Sequence, residues 1–234
     1  MWADRSPLPE VPARLEPGPV LYFAPHPDDD LIGGGGTLAL HREQGDPVHV
    51  VIAYDGAKGQ MGEDRLPDER YVELREAEAR RGGAHLGLTD YRFLRYPEGH
   101  EPDPDTLAAA VSSLAALIRE LAPSTIYAPW IGEHQIDHHV LGKAVLAATS
   151  EAGFTGQAWG FDVWTPLVPT RVVDVSSTWD RVLAGLAEHG TQTEFTSLAH
   201  HASGLAAHRA LYLKKGARYG EGFCPLQIEG LVND

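Results

Sequence analysis

A five-residue apolar run, Val20-Leu21-Tyr22-Phe23-Ala24, stops at Pro25-His26-Pro27-Asp28-Asp29-Asp30 and is followed almost at once by Gly33-Gly34-Gly35-Gly36. A short apolar run bounded by turn residues reads as a buried strand. The histidine and the three carboxylates then sit at its carboxyl end, in the turn into a helix. Open α/β sheets hold their ligands at that edge. One aspartate there is explained as a helix cap, because a carboxylate at a helix N-terminus meets unpaired N–H groups and the positive end of the dipole. That does not account for His26, Pro27 and three aspartates together. An imidazole and a carboxylate three residues apart, as in His26 and Asp29, have the spacing to hold one zinc ion. The carboxylate between them is left to point elsewhere and act as a base.

The same alternation continues. Residues 47–54, with Val48, Val50, Val51 and Ile52, read as a second buried strand. Segments 91–96, 125–129, 158–164 and 171–175 read as further strands, and 31–43, 67–86, 106–121, 137–152, 178–190 and 200–215 as helices. In 106–121, Leu107, Val111, Leu114, Leu117 and Ile118 recur at helical spacing. Strand alternating with helix predicts a single α/β domain over 19–234, a largely parallel sheet with helices on both faces, behind a proline-rich arm at 1–18. Right-handed crossovers put the loops 25–36, 55–66 and 130–138 at one edge, where they should form a pocket.

The last of those loops runs Trp130-Ile131-Gly132-Glu133-His134-Gln135-Ile136-Asp137-His138-His139. Alone it reads equally well as a polar loop of solvated histidines. Paired with His26 and Asp29, it completes a set in which two histidines and one aspartate leave a coordination position open for water. Asp137 is placed to cap the helix and orient a neighbouring histidine. Such a metal lowers the pKa of water to about 7, so the residues point to metal-assisted hydrolysis of a carbonyl compound. Zinc suits this donor set, as do Fe(II), Co(II) and Ni(II). The net charge of −14 argues against nucleic acid and anionic membranes as partners. A single cysteine, Cys224, excludes an internal disulfide. The first 19 residues have no apolar core of a signal peptide, which predicts a cytoplasmic protein.

These motifs resemble the LmbE-like, or PIG-L, family of zinc N-deacetylases, in Pro25–Asp30 and Asp137-His138 above all. Asp55-Gly56-Ala57-Lys58-Gly59, Arg75-Glu76-Ala77-Glu78, Phe161-Asp162-Val163-Trp164, Val173-Asp174-Val175-Ser176, His189-Gly190-Thr191-Gln192 and Arg218-Tyr219-Gly220-Glu221-Gly222-Phe223 resemble its later segments, in order, across about residues 20–224. The resemblance implies a Rossmann-like fold, one zinc per chain and removal of an N-acetyl group from an amino sugar. It makes His26, Asp29 and His138 the zinc ligands, Asp28 the base and then the proton donor, and Arg75 and Glu98 substrate contacts, Arg75 at the rim of the site. The histidine common three places before the metal-binding one is Gln135 here; His134 takes that second catalytic role only if the loop bulges by one residue. Asp137 stands with Asp28 and His134 among the candidate catalytic groups. The small-molecule substrates implied are GlcNAc-malate, GlcNAc-inositol, a chitin-derived sugar or an antibiotic amino sugar, with the C-terminal segments resembling the bacillithiol-type branch and GlcNAc-malate. The resemblance also raises self-association. An amidase of a thiol conjugate on the same metal site, and a sugar- or nucleotide-binding protein without turnover, remain as other readings; the presence of Asp28 argues against the latter, because binding needs no base.

The remaining singular residues have plainer expectations. Gly33–Gly36 should let the first helix pack against the pocket, with no phosphate loop following. Trp130 and Trp164 should be buried, His189 and Gln192 should lie on a helix surface or behind the ligands, His200 and His201 should be exposed, and Tyr219 and Glu221 should either reach the site or form a structural ion pair.

Overall fold

The computed structural model describes residues 8–62 and 65–226; the first part of the predicted arm, residues 1–7, and part of the loop 55–66 lie outside the described residues. The elements run β1 (Val20–Ala24), α1 (Asp29–Glu43), β2 (Val48–Tyr54), α2 (Asp68–Ala84), β3 (Asp90–Tyr96), α3 (Pro104–Leu121), β4 (Thr125–Pro129), α4 (Ile136–Ala152), β5 (Gln157–Phe161), β6 (Arg171–Asp174), α5 (Trp179–Leu186), α6 (Gly190–Thr193), α7 (Leu198–Arg209) and β7 (Gly220–Pro225). They form one sheet of seven strands in the order β3-β2-β1-β4-β5-β7-β6. The first five are parallel, with Val20 level with Val48 on one side and Thr125 on the other. The chain first builds outward from β1 through β2 to β3, then returns to start again at β4. The crevice between β1 and β4 is therefore the point where strand order reverses, which is where such sheets bind ligands.

Both faces of the sheet are covered, as the alternation predicts. Tyr22, Val50 and Ile52 meet Leu31, Leu38, Val182 and Leu186 on the side of α1 and α5. Leu21, Phe23, Val51 and Ile126 meet Leu114, Ile118, Leu141 and Val145 of α3 and α4 on the other.

The sequence reading treats 218–223 as a motif, not a strand. The structure places it in β7, antiparallel to β5 and β6 and wedged between them. Gly220, Glu221 and Gly222 carry little strand propensity. The glycines are there for space: a Cβ on Gly222 would stand 2.5 Å from Nε of Arg209, and one on Gly220 2.9 Å from Val172.

The four glycines of α1 serve the sheet, not the pocket. A Cβ on Gly33 would lie 2.2 Å from Phe161, and one on Gly36 2.6 Å from Val175. The helix breaks at Gly34, and Glu221 fills the break, its carboxylate accepting the N–H groups of Gly36 (2.7 Å) and Thr37 (2.8 Å). Residues 8–18 follow the far edge of the sheet, where Val172 donates to Glu10 O and buried Arg171 pairs with Glu10 and Glu16. Among the described residues no helix is long and apolar enough to cross a membrane.

Candidate metal-centred active site

The site starts in the tight turn that ends β1. Asp28 has φ 145°, a value that costs strain for a residue with a side chain. With the backbone turned this way, its carbonyl accepts the N–H groups of Leu31 and Ile32 and starts α1. Asp29 N–H donates to His26 O, and His26 N–H donates in return to Asp29 Oδ2 at 2.9 Å. This closed turn holds Asp29 Oδ2 3.2 Å from His26 Nδ1.

Across the crevice, Gln135 caps α4 by accepting the N–H of His138 at 3.0 Å. That sets the buried His138 ring with Nε2 3.1 Å from Asp29 Oδ2. The contact lacks hydrogen-bond alignment, and both nitrogens of His138 are without a hydrogen-bond partner. Two orphaned buried nitrogens are costly. One donor atom from each of His26, Asp29 and His138 lies within 4.8 Å of the others. Two imidazoles and a carboxylate at this spacing fit a divalent transition ion, with the cavity side open.

The other face of His26 is also engaged. Its Nε2 stands 3.2 Å from Asp137 Oδ2 and 3.1 Å from Glu98 Oε2. Each carboxylate is aimed by its remaining bonds. Asp137 accepts from Gly99 N–H at 2.6 Å and from the Gln135 amide at 2.8 Å, and Glu98 accepts from the backbone N–H of Lys58. Burial works against the charged form of His26, but Asp137, Asp29 and Glu98 outweigh it and raise its pKa well above the ordinary value. Burial likewise works to raise Asp29, Glu98 and Asp137, but His138 and His26 hold Asp29 down, and His26 leads in holding down the other two.

Asp28 differs from its neighbours. Burial pushes it up to about 7, only partly opposed by Arg75, whose guanidinium nitrogen lies 3.3 Å from Asp28 Oδ2. Arg75 does not lie at the rim, where the sequence reading has it. It is buried, donating to Gly56 O and Pro27 O at 3.0 Å each, and serves as the floor under Asp28. Asp30 turns away: its carboxylate accepts from Tyr91 at 2.7 Å, and burial raises it to about 6.

A cavity of about 550 Å³ opens over these groups, lined by His26, Asp28, Asp29, Lys58, Arg75, Glu98, Gln135 and Asp137. The loops after β1, β2, β3 and β4 all contribute. Its outer wall comes from residues the sequence reading did not bring to the site: Val163, Trp164 and Pro166 after β5, and Gln192, Thr196, Leu198, His201, Ala202 and Leu205 from the C-terminal helices. A turn pinned by Glu133, whose carboxylate accepts the N–H groups of Val163, Trp164 and Thr165, carries Trp164. Trp164 is not buried; it is 63% exposed at the mouth. The only hint of this in the sequence is the Phe161–Trp164 segment of the resemblance.

Several other candidates stand elsewhere. His134 is exposed and outside the cavity lining, its N–H held by Thr165 Oγ1, and Gln135 occupies the inward position. No bulge shifts the register, because the loop uses Gln135 as the helix cap. The His139 ring bonds Ile131 O. Glu221 lies under α1, and Tyr219 stacks on Trp179. His189 is fully buried instead of lying on a surface; burial lowers it to about 3. Cys224 is buried in β7, its thiol pushed up to about 11 by burial.

The family described as PIG-L, GlcNAc-PI de-N-acetylase, matches residues 21–149. The chain is 28% identical over 223 residues to a 1D-myo-inositol 2-acetamido-2-deoxy-alpha-D-glucopyranoside deacetylase of Kineococcus radiotolerans, covering 81% of this chain and 61% of that protein. It is 31% identical over 189 residues to a probable N-acetyl-alpha-D-glucosaminyl L-malate deacetylase 2 of Bacillus cereus, covering 75% and 84%. Thus the chain spans about three-fifths of the first relative's length and over four-fifths of the second's. The N,N'-diacetylchitobiose deacetylase of Pyrococcus horikoshii superposes with a TM-score of 0.77 at 22% identity, covering 92% of this chain and 87% of that one. A 4-carboxy-2-hydroxymuconate hydratase of Pseudomonas putida KT2440 also reaches 0.77, at 19% identity and coverages of 92% and 99%. The fold is thus shared by proteins named for different reactions, so the reaction has to be argued from the site.

Proposed function

The chain belongs to the PIG-L family, and from that premise we propose that it is a metal-dependent hydrolase that removes the acetyl group from an N-acetylglucosamine-type conjugate. The observation that carries the reading is the convergence of His26, Asp29 and His138 beside a buried Asp28 that is raised to about 7, all facing one cavity. The first three residues would hold one ion, zinc by preference. When bound, the ion supplies Lewis acidity, lowering the pKa of water and polarising the acyl oxygen.

The chain's own groups handle the protons. Asp28 takes a proton from the attacking water as its oxygen bonds to the acyl carbon. As the C–N bond breaks, Asp28 returns that proton to the nitrogen, leaving acetate and a free amine. A carboxyl group near 7 is suited to both transfers, since neither form is strongly favoured at neutral pH. Arg75 keeps Asp28 aimed into the cavity. Asp137 and Glu98 act through His26: by accepting at Nε2 they fix its tautomer and turn Nδ1 toward Asp29. In this geometry Glu98 is a positioning residue that also borders the sugar, and Gln135 replaces His134 as the polar group facing substrate.

The test is amine release from GlcNAc, GlcNAc-inositol and GlcNAc-malate by protein of known metal content, before and after chelation. Release that chelation abolishes and metal restores is expected. Metal-loaded protein that frees no amine from any N-acetyl sugar would overturn the reading in favour of the thiol-conjugate amidase, a hydration reaction or binding without turnover.

A further inference from the structure

The cavity has two unlike ends. At the inner end are the imidazoles and carboxylates already described. The outer wall is apolar: Ile32, Met61, Trp164, Pro166, Leu198 and Leu205 line it without a break from the catalytic groups. Met61 and Trp164 are 58% and 63% exposed, so large apolar side chains face solvent at the mouth of a pocket. A contiguous apolar surface of this kind marks a binding face. It is also a built one, since three N–H groups on the Glu133 carboxylate hold the turn that carries Trp164 outward.

Counter-charge for an anionic substrate is scarce at the same mouth. Four carboxylates, Asp28, Asp29, Glu98 and Asp137, border the cavity. Among the described residues the permanent cations on its lining are Arg75 and Lys58. Arg75 is buried against Gly56 O, Pro27 O and Asp28. The Lys58 ammonium donates to Glu98 O at 2.5 Å, beside a carboxylate. The chain as a whole carries −14. A dicarboxylate such as malate would bring two further negative charges into this field, with one exposed ammonium to meet them. A polyol such as inositol would find few partners on the apolar wall.

We infer that the amino sugar this protein deacylates carries an apolar substituent, seated on the wall formed by Met61, Trp164, Pro166, Leu198 and Leu205. The inference rests on the deacetylase reading. The substituent can be attached at the glycosidic oxygen or extend the acyl group on nitrogen; the chemistry that recognises it is the same, and the experiment separates the two.

Four substrates are compared on one metal-loaded preparation: GlcNAc, its octyl glycoside, N-octanoylglucosamine and GlcNAc-malate. One of the two octyl compounds should exceed GlcNAc in kcat/KM by about tenfold or more, the scale that a few buried methylenes supply. The better of the two locates the substituent. In Trp164→Ser and Leu205→Ser the ratio of octyl compound to GlcNAc should fall toward one, a comparison internal to each variant and so insensitive to the folded fraction. GlcNAc-malate as the best substrate, or a ratio unchanged in both variants, overturns the inference while leaving the deacetylase standing. Absence of amine from all four overturns the deacetylase reading and this inference's substrate with it. Binding of octyl glucoside, which has no amide, followed by tryptophan fluorescence in wild type and Trp164→Ser, then still reads the wall: saturable binding lost in the variant supports an apolar ligand, and no binding to wild type removes it.

Discussion

Two groups of buried carboxylates differ in how they are satisfied. Glu133, Asp162 and Glu221 each meet donors. Glu133 takes three backbone N–H groups, Glu221 takes two, and Asp162 takes the N–H of Leu167 and the Arg209 guanidinium. Asp28, Asp29, Glu98 and Asp137 instead crowd around two imidazoles, one of which has no hydrogen-bonded nitrogen at all. Burial raises Glu133 and Glu221, and nothing but N–H dipoles answers it. In the second group the acids and bases perturb one another in opposite directions. The first arrangement joins segments: Glu221 ties β7 to the break in α1, and Glu133 ties the loop after β4 to the loop after β5. The second is left incomplete without a cation, and incompleteness of that kind is the mark of a site.

The sharpest way to break this contrast is at the ligands. His138→Ala should lose stoichiometric metal, read by elemental analysis of dialysed protein, and bring amine release to background. One tightly bound ion per chain in that variant would remove His138 from the ligand set. Asp28→Asn comes next. Metal content should hold while turnover falls by about 10²-fold or more, because the isosteric amide cannot carry the proton. Retained turnover would assign the base to another group.

The other region should answer with stability, not chemistry. Glu221→Gln points an amide NH₂ at an N–H of Gly36 or Thr37 where a carboxylate oxygen now accepts. Leaving a buried donor unpaired costs about 1–3 kcal/mol. The denaturation midpoint should drop accordingly, with metal stoichiometry and activity per folded molecule unchanged. Loss of metal in this variant would show that the two groups of carboxylates are not separable.

The sequence was informative where the chemistry is local. His26, Asp28 and Asp29 share one turn, and Asp137 and His138 share one helix start, so spacing alone places them at strand ends. Alternation of apolar runs also carries the parallel half of the sheet. What depended on distant partners was not legible. The seat of Arg75 under Asp28 needs the loop after β2; the approach of Glu98 to His26 needs the loop after β3. β7 has two glycines and a buried acid whose reasons are Arg209, Val172 and the N–H groups of α1. Trp164 is outside because Glu133 holds its turn, which no periodicity encodes.

His189 sharpens the contrast by pH. Both of its ring nitrogens are buried without partners, and burial lowers its pKa to about 3 from 6.5. The unfolded chain therefore binds a proton below 6.5 that the folded chain refuses until about 3. Stability from this group is full above 6.5 and is lost as pH falls through that window, by up to about 1.4 kcal/mol per pH unit. His189→Leu should flatten the stability curve between pH 6 and about 4 by roughly 2 kcal/mol. An unaltered slope would mean that the imidazole finds a proton partner in the folded state.

The smallest effect is expected one residue from the ligands, where a one-place difference in register decides the outcome. His134 is exposed, and the bond it contributes is its backbone N–H to Thr165 Oγ1, which alanine keeps. His134→Ala should leave turnover within about twofold and stability within about 0.5 kcal/mol. Gln135 faces the cavity, caps α4 at His138 N–H and donates to Asp137. Gln135→Ala removes a helix cap worth about 1 kcal/mol and frees Asp137 to turn. It should lower metal affinity as well as turnover, since the cap is what sets the His138 ring. If instead His134→Ala costs tenfold or more and Gln135→Ala little, the loop after β4 must close over substrate with its register shifted by one. The inward position would then belong to the histidine, as the resemblance alone suggests.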